Sequence, residues 1–138
     1  MGINLDDASL EEIQGFFSLD RFATDACGCV IEVAEPGHAV CSFEITDTHR
    51  NMRGNVMGGA IFTLADFALA VASNVGQEPT VSVSNTIEYL RASRGTRLIA
   101  TANADKAGRR LAFFTIDVTD NLGAHIARMT ATCCRAGS

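Results

Sequence analysis

The sequence predicts an α+β fold, a curved antiparallel β-sheet wrapped around one long central helix. Three observations predict it. After the pair Gly58-Gly59, the fourteen residues from Ala60 to Ser73 are almost entirely small or apolar, and Asp66 is their one charge. A helix that is apolar all round is buried rather than laid on a surface. Four strand-like runs follow: Thr80 to Arg91, Arg97 to Ala107, Arg109 to Asp120 and Gly123 to Cys134. The breaks between them, Ser93-Arg94-Gly95, Lys106-Ala107-Gly108 and Asp120-Asn121-Leu122-Gly123, are short and carry glycine, so neighbouring strands should be antiparallel. A sheet that must bury such a helix has to curl around it.

Each element has its own signal. Ser9-Leu10-Glu11-Glu12 reads as a capping box, in which Ser9 caps and Glu12 reaches back. A short helix, roughly Leu10 to Phe17, follows, with Leu10, Ile13, Phe16 and Phe17 as its docking stripe. Phe22 to Glu35 reads as a strand whose β-formers are Val30, Ile31 and Val33. Glu35-Pro36-Gly37-His38 is a turn. Ala39 to Thr46 then alternates, with Cys41, Phe43 and Ile45 opposite Val40, Ser42, Glu44 and Thr46. Asp47 to Val56 lacks periodicity and leads into the central helix, which stops near Asn74-Val75-Gly76. The 138 residues suit one domain, with residues 1–21 as a helical extension at its N-terminus.

Charge is unevenly spread around a net −5. Residues 1–48 carry ten acids and one base, whereas residues 91–138 carry eight bases and three acids. The overall acidity argues against general nucleic-acid binding. The basic C-terminal third suits an anionic small molecule such as a phosphorylated cofactor. Five cysteines without an export signal before them read as reduced thiols of a cytoplasmic protein. Cys27-Gly-Cys29 has no second ligand pair at zinc spacing, and no histidine pair has metal spacing, so no metal site is expected. The acid at mid-helix argues against a membrane span.

Gly58 and Gly59 open the central helix. A helix's first turn has unpaired N–H groups and a partial positive charge. Glycine lets a ligand come close to them, so the pair suits an oxygen gaining negative charge. Asp66 suits a general base on water or a nucleophile toward an acyl group. Asp66 comes eight positions after Gly58, roughly 12 Å of helix at about 1.5 Å per residue. The two groups of one helix therefore cannot touch one carbonyl carbon. Shared action on a substrate requires two chains with their helices side by side, and a dimer would also complete the burial of the helix.

The run Asn51-x-x-Gly54-x-x-Met57-Gly58-Gly59, followed by Asp66, resembles the motif of the hotdog-fold acyl-CoA thioesterases of the phenylacetate-degradation type. The resemblance spans about residues 22–134 and continues in Tyr89-Leu90-Arg91-Ala92 and Ala107-Gly108-Arg109-Arg110. It implies a hotdog fold and hydrolysis of an acyl-CoA thioester to a free acid and coenzyme A. Coenzyme A enters as part of the substrate, and no other cofactor is implied. It also implies a homodimer or a dimer of dimers with each site shared between chains. Gly58 matches the backbone oxyanion donor, Asp66 the catalytic carboxylate, and Asn51 a side chain that positions the acyl group or water. Ser84 falls where some members carry a serine that holds the attacking water.

One position departs from the motif. Met57 stands where the family has histidine, and methionine can only pack or contact substrate through sulfur. Met57 is also the residue that favours an alternative, a non-catalytic acyl-CoA binding protein. A hotdog dehydratase would want an Asp and a His together, and no His falls at the right place. Met57, Gly59 and Phe62 are expected at the substrate, with Phe62 walling the acyl chain. Arg94, Arg109 and Arg110 are the first choices for the phosphates of coenzyme A, since guanidinium forks suit phosphate. His49 is expected as a solvated loop residue. Cys133-Cys134 lacks an obvious His partner nearby, and adjacent strand positions point to opposite faces.

Overall fold

The computed structural model describes residues 7–136. The main elements in chain order are α1 (Leu10–Phe17), β1 (Val30–Glu35), β2 (His38–Glu44), α2 (Gly58–Asn74), β3 (Thr80–Tyr89), β4 (Arg97–Ala107), β5 (Leu111–Asp120) and β6 (His125–Arg135). All six strands form one antiparallel sheet in the order β1-β2-β4-β5-β6-β3. The sheet packs on α2, which is the hotdog arrangement. No helix among the described residues is long and apolar enough to cross a membrane.

Strand register explains the core. Ala39, Ala102, Ile116 and Met129 are successive partners across β2, β4, β5 and β6, and all four are fully buried. The neighbouring row runs Cys41, Ala100, Val118 and Ala127, equally buried. Side chains on one face of a sheet lie two residues apart, so these rows line the face toward the helix. The alanines on β2 and β4 leave room for α2 to lie close, and its Leu64, Ala65, Ala68, Val71 and Ala72 are fully buried.

The structure corrects the expectation of burial all round α2. Gly59 and Asp66 are exposed, and Phe62, Thr63 and Ala70 are only partly buried. One sheet covers one side of a helix, and this stripe faces away from it.

A second correction concerns residues 22–29. The strand expected from Phe22 begins only at Val30, because Phe22–Ala26 forms a π-helical turn. The amide of Cys27 donates to the Phe22 carbonyl at 3.0 Å, Thr24 Oγ1 donates to the Asp20 carbonyl, and Arg21 pairs with Asp25 one turn on. Thr24 is the one β-branched residue in that run, and Gly28 at φ +73° breaks the turn before the β-formers start.

α1 keeps its capping box, with the Glu12 amide donating to Ser9 Oγ and the Ser9 amide to the Glu12 carboxylate. It docks through Ile13 and Phe17, and Phe17 meets Phe67 of α2 edge to face at 6.1 Å. Leu10, expected in that stripe, lies 41% exposed.

The third correction is topological. The break at Ser93-Arg94-Gly95 is expected to join neighbouring strands, yet β3 and β4 lie three steps apart in the sheet. Three steps are about 14 Å at about 4.8 Å each, within reach of a few extended residues. Hydrogen bonds guide the crossing. The Leu90 amide donates to the Ile126 carbonyl, Ser93 Oγ to Asp120 Oδ2, and the Thr96 amide to Asn121 Oδ1. Asp120 is 97% buried by its 3% exposure, and the desolvation would raise its carboxyl. Hydrogen bonds from Ser93, Ala124, Leu122 and Gly95 outweigh that and hold it below the ordinary range.

Candidate active site

α2 begins at Gly58 with Met57 as its cap residue. Its first hydrogen bonds run from the Ala60 and Ile61 amides to the Met57 carbonyl. Among the described residues, the Gly58 and Gly59 amides have no acceptor. They are the free, positively polarised donors of a helix start. Tyr89, at the end of β3, lies over them, and its hydroxyl donates to the Gly58 carbonyl at 3.0 Å. A Cβ on Gly58 would stand 3.2 Å from the Tyr89 ring, tighter than most contacts. A cavity of about 380 Å³ opens there, lined by Gly58, Ile61, Tyr89, Leu90, Arg91 and Ser93 among others.

The loop before this helix is held by Asn51. Its Oδ1 accepts from the Arg53 amide at 3.0 Å and the Asn55 amide at 3.1 Å, while Gly54 takes φ +82°. The Asn51 side-chain oxygen is thus committed to the loop, and Asn51 lines neither the Gly58 cavity nor the one at Asp66. His49 anchors the same loop from below. Its Nδ1 accepts from the Thr46 amide at 2.9 Å, so Nε2 carries the proton and donates to the Cys27 carbonyl at 2.7 Å. His49 also stacks on Phe43 at 4.0 Å. It is 5% exposed, a buried strut and not the solvated residue expected from the sequence.

Asp66 lies two turns along α2 and lines a different cavity of about 480 Å³. Its other walls are Asp20, Arg21, Phe22 and Ala23 from the N-terminal segment, and Phe62, Thr63, Phe67 and Ala70 from α2. Desolvation raises the Asp66 carboxyl above its ordinary value, and the negative charge of Asp20 raises it further. Asp20 is itself raised by desolvation.

The structure thus brings Phe62 to Asp66 and keeps Gly58 apart from it within one chain, as the helix spacing requires. Met57 and Gly59 sit exposed beside the helix start. Ser84 lies exposed on β3, just past a register shift between Ser82 and Ser84, and lines neither cavity. Arg94 lies exposed in the crossing from β3 to β4, at the Gly58 end of the sheet. Arg109 and Arg110 lie exposed in the β4–β5 turn, at the other end, where the Arg135 amide bonds the Arg110 carbonyl.

Neither cavity contains a histidine. Burial pushes the Cys29 thiol up to about 12 and raises Cys41 and Cys133 as well, so these thiols stay protonated and inert. Among the described residues no group of three or more potential metal ligands forms. Asp20 and Phe22 escaped sequence reasoning. No periodicity marks them, and only the docking of the π-helical turn brings them to α2.

Known proteins resemble this chain in sequence and in fold. Residues 53–126 match the model of the thioesterase superfamily. Acyl-coenzyme A thioesterase 13 of Homo sapiens is 32% identical over 90 residues, covering 63% of this chain and 64% of that protein. The chain thus spans less than two thirds of that relative's length. Acyl-coenzyme A thioesterase PaaI of Escherichia coli is 31% identical over 104 residues, covering 72% of this chain and 74% of that protein. The solved structure of the E. coli PaaI protein superposes with a TM-score of 0.79 at 27% identity, covering 94% of this chain and 98% of that one. A Streptococcus mutans protein solved with acetyl CoA superposes with a TM-score of 0.74 at 27% identity, covering 78% and 88%. The matched residues take in the start of α2, Asp66 and the crossing beyond β3, and they amount to more than half of the chain: this protein belongs to the thioesterase superfamily.

Proposed function

We propose that this protein is an acyl-CoA thioesterase whose sites each form between two protomers. The observation that carries the reading is the placement of two complementary groups on one helix. Free amides at Gly58 can stabilise a developing oxyanion, and the carboxylate of Asp66 can activate water or attack the acyl carbon. They open into separate cavities of one chain. An antiparallel pair of α2 helices would set the Gly58 of one protomer beside the Asp66 of the other.

Strand β3 supports such pairing. It is an edge of the sheet, and its Val81 and Val83 are 55% and 61% exposed. An unpaired apolar edge invites a second copy.

In this reading the steps are simple. The thioester carbonyl points at the Gly58 amide of one protomer. In one route Asp66 of the other takes a proton from water, the hydroxide adds to the carbonyl, and the proton passes to the departing coenzyme A thiolate. In the alternative route Asp66 adds to the carbonyl itself and coenzyme A leaves as the thiolate. Water then cleaves the acyl-aspartyl anhydride to give the acid and the proton that the thiolate takes up. Asn51 and Ser84 orient acyl group and water. Met57 and Gly59 border the carbonyl, and Phe62 walls the acyl group. The same antiparallel pairing would bring Arg94 of one chain to the end of the sheet that carries Arg109 and Arg110 of the other, a basic rim for phosphates. The names of the human and E. coli relatives and the acetyl CoA of the S. mutans structure support the substrate class.

Met57 favours a second reading, a protein that binds acyl-CoA without turnover. A steady-state assay with a thiol reporter over a panel of acyl-CoAs separates the two. Turnover that Asp66→Asn abolishes while binding persists supports the hydrolase. Tight binding without turnover supports the binder.

A further inference from the structure

The cavity at Asp66 holds a second acid that the proposed chemistry does not use. Asp20 stands between α1 and the π-helical turn, and it lines the same 480 Å³ space as Asp66. The rest of the lining is mainly apolar: Phe22, Ala23, Phe62, Phe67 and Ala70, with Thr63 and Arg21. Arg21 does not cancel Asp20, because its guanidinium pairs with Asp25. The Thr63 hydroxyl is also committed, donating to the Gly59 carbonyl at 2.8 Å. Asp20 has no side-chain hydrogen bond with another described residue, so its carboxyl is free to act on what enters.

We propose that Asp20 determines specificity at this site: with Asp66 it makes one apolar cavity doubly acidic, so that acyl groups ending in a carboxylate are turned away and neutral ones admitted. This deepens the thioesterase reading and rests on it. The physical basis is like-charge repulsion in a partly desolvated space, where a carboxylate on the acyl end would be a third negative charge. The aromatic and aliphatic walls give a neutral chain apolar contact instead.

Asp20 has a second effect through the same repulsion. Its charge helps raise the Asp66 carboxyl, after desolvation. The titratable and charged groups around Asp66 are Asp20 and Arg21 from the N-terminal segment and the Cys133 thiol from β6, itself raised in part by Asp66. Removing the charge at position 20 should lower the pH at which Asp66 ionises.

The test compares pentanoyl-CoA with glutaryl-CoA, which has the same chain length but ends in a carboxylate. The full chain, Asp20→Asn, Asp20→Ser and Asp66→Asn are assayed on both. Wild type should prefer pentanoyl-CoA. In both Asp20 variants the glutaryl-to-pentanoyl ratio of kcat/KM should rise about tenfold, the order expected for removing one like-charge repulsion at close range. The acid limb of the pentanoyl-CoA pH profile should move to lower pH. An equal change on both substrates, with the limb unmoved, would make Asp20 merely structural and overturn the proposal. Two variants guard against a folding defect in one. Failure of the underlying reading looks different: wild type would turn over neither ester, or Asp66→Asn would match wild type on both.

Discussion

The Tyr89 hydroxyl donates a 3.0 Å hydrogen bond to the Gly58 carbonyl oxygen, tying the end of β3 to the first residue of α2. This tether fixes the direction of the amides just beside it. Tyr89→Phe keeps the ring over Gly58 and deletes the bond. A single neutral hydrogen bond contributes about 0.5–1.5 kcal/mol. The expected outcome is a fall of about three- to tenfold in kcat/KM with little change in melting temperature, checked by steady-state kinetics and thermal unfolding.

Gly58→Pro tests the amide itself. Proline lacks an N–H but is tolerated at the first position of a helix. Met57 already has φ −64° and ψ 139°, the extended conformation that a following proline demands. The Tyr89 ring must yield slightly to the new Cβ, and it is 51% exposed. Turnover should fall about 100- to 1000-fold, as for the loss of an oxyanion donor. Mixing this variant with Asp66→Asn, after subunit exchange, should restore up to about a quarter of wild-type activity, since random two-fold pairing regenerates one intact site per mixed dimer. No recovery on mixing would mean that each site lies within one chain.

Asp66→Asn has a consequence for stability as well as for rate. Burial, and then Asp20, raise the Asp66 carboxyl above its ordinary 3.8. The native state therefore holds that proton more tightly than the unfolded chain does. Stability from this group is fully present below the unfolded pKa and is lost as pH rises through the raised native value. The variant should melt at a higher temperature than wild type at neutral pH, and the gain should vanish below the ordinary aspartate range. In wild type the acid limb of the activity profile should lie above the value for a free aspartate, because the base must be ionised. Melting curves and a pH–rate profile check both points.

Gly95→Ala should loosen the crossing from β3 to β4. A Cβ there would collide with Asn121 Oδ1 and stand 3.2 Å from Asp120 Cβ. Asn121 Oδ1 accepts from the Thr96 and Arg97 amides, so it cannot move away freely. Overpacking of this kind costs about 1–3 kcal/mol. Urea unfolding should register that loss in the midpoint.

Much of this fold is legible in local pattern. The capping box at Ser9, the glycine stop near Gly76 and the alternation of Cys41 and Phe43 all act within a few residues, and the structure keeps each. The pairing of β3 is not local. The short glycine-bearing link to β4 reads like a hairpin, but β3 joins β6, and only the sheet's closure around α2 decides that. Residues 22–26 fail for a different reason. Their alanines and polar side chains carry no strong β signal, and tertiary contact with α2 selects the helical turn.

The candidate site divides in the same way. Gly58 and Asp66 stand out because glycines and a charge interrupt an apolar run. His49 was read as solvated because nothing in its neighbours announces Phe43 and the Cys27 carbonyl as its partners. Asp20 was invisible because its meaning depends on a wall built from two distant segments.

The segment from Asp20 to Ala23 lines one side of the Asp66 cavity, and the residues that match the superfamily model begin only at Arg53. If Asp20 acts as proposed, part of the substrate choice is housed outside the matched stretch. Exchanging the stretch around Asp20 and Phe22 between relatives offers a way to retune what is accepted while leaving the reacting groups and the sheet alone.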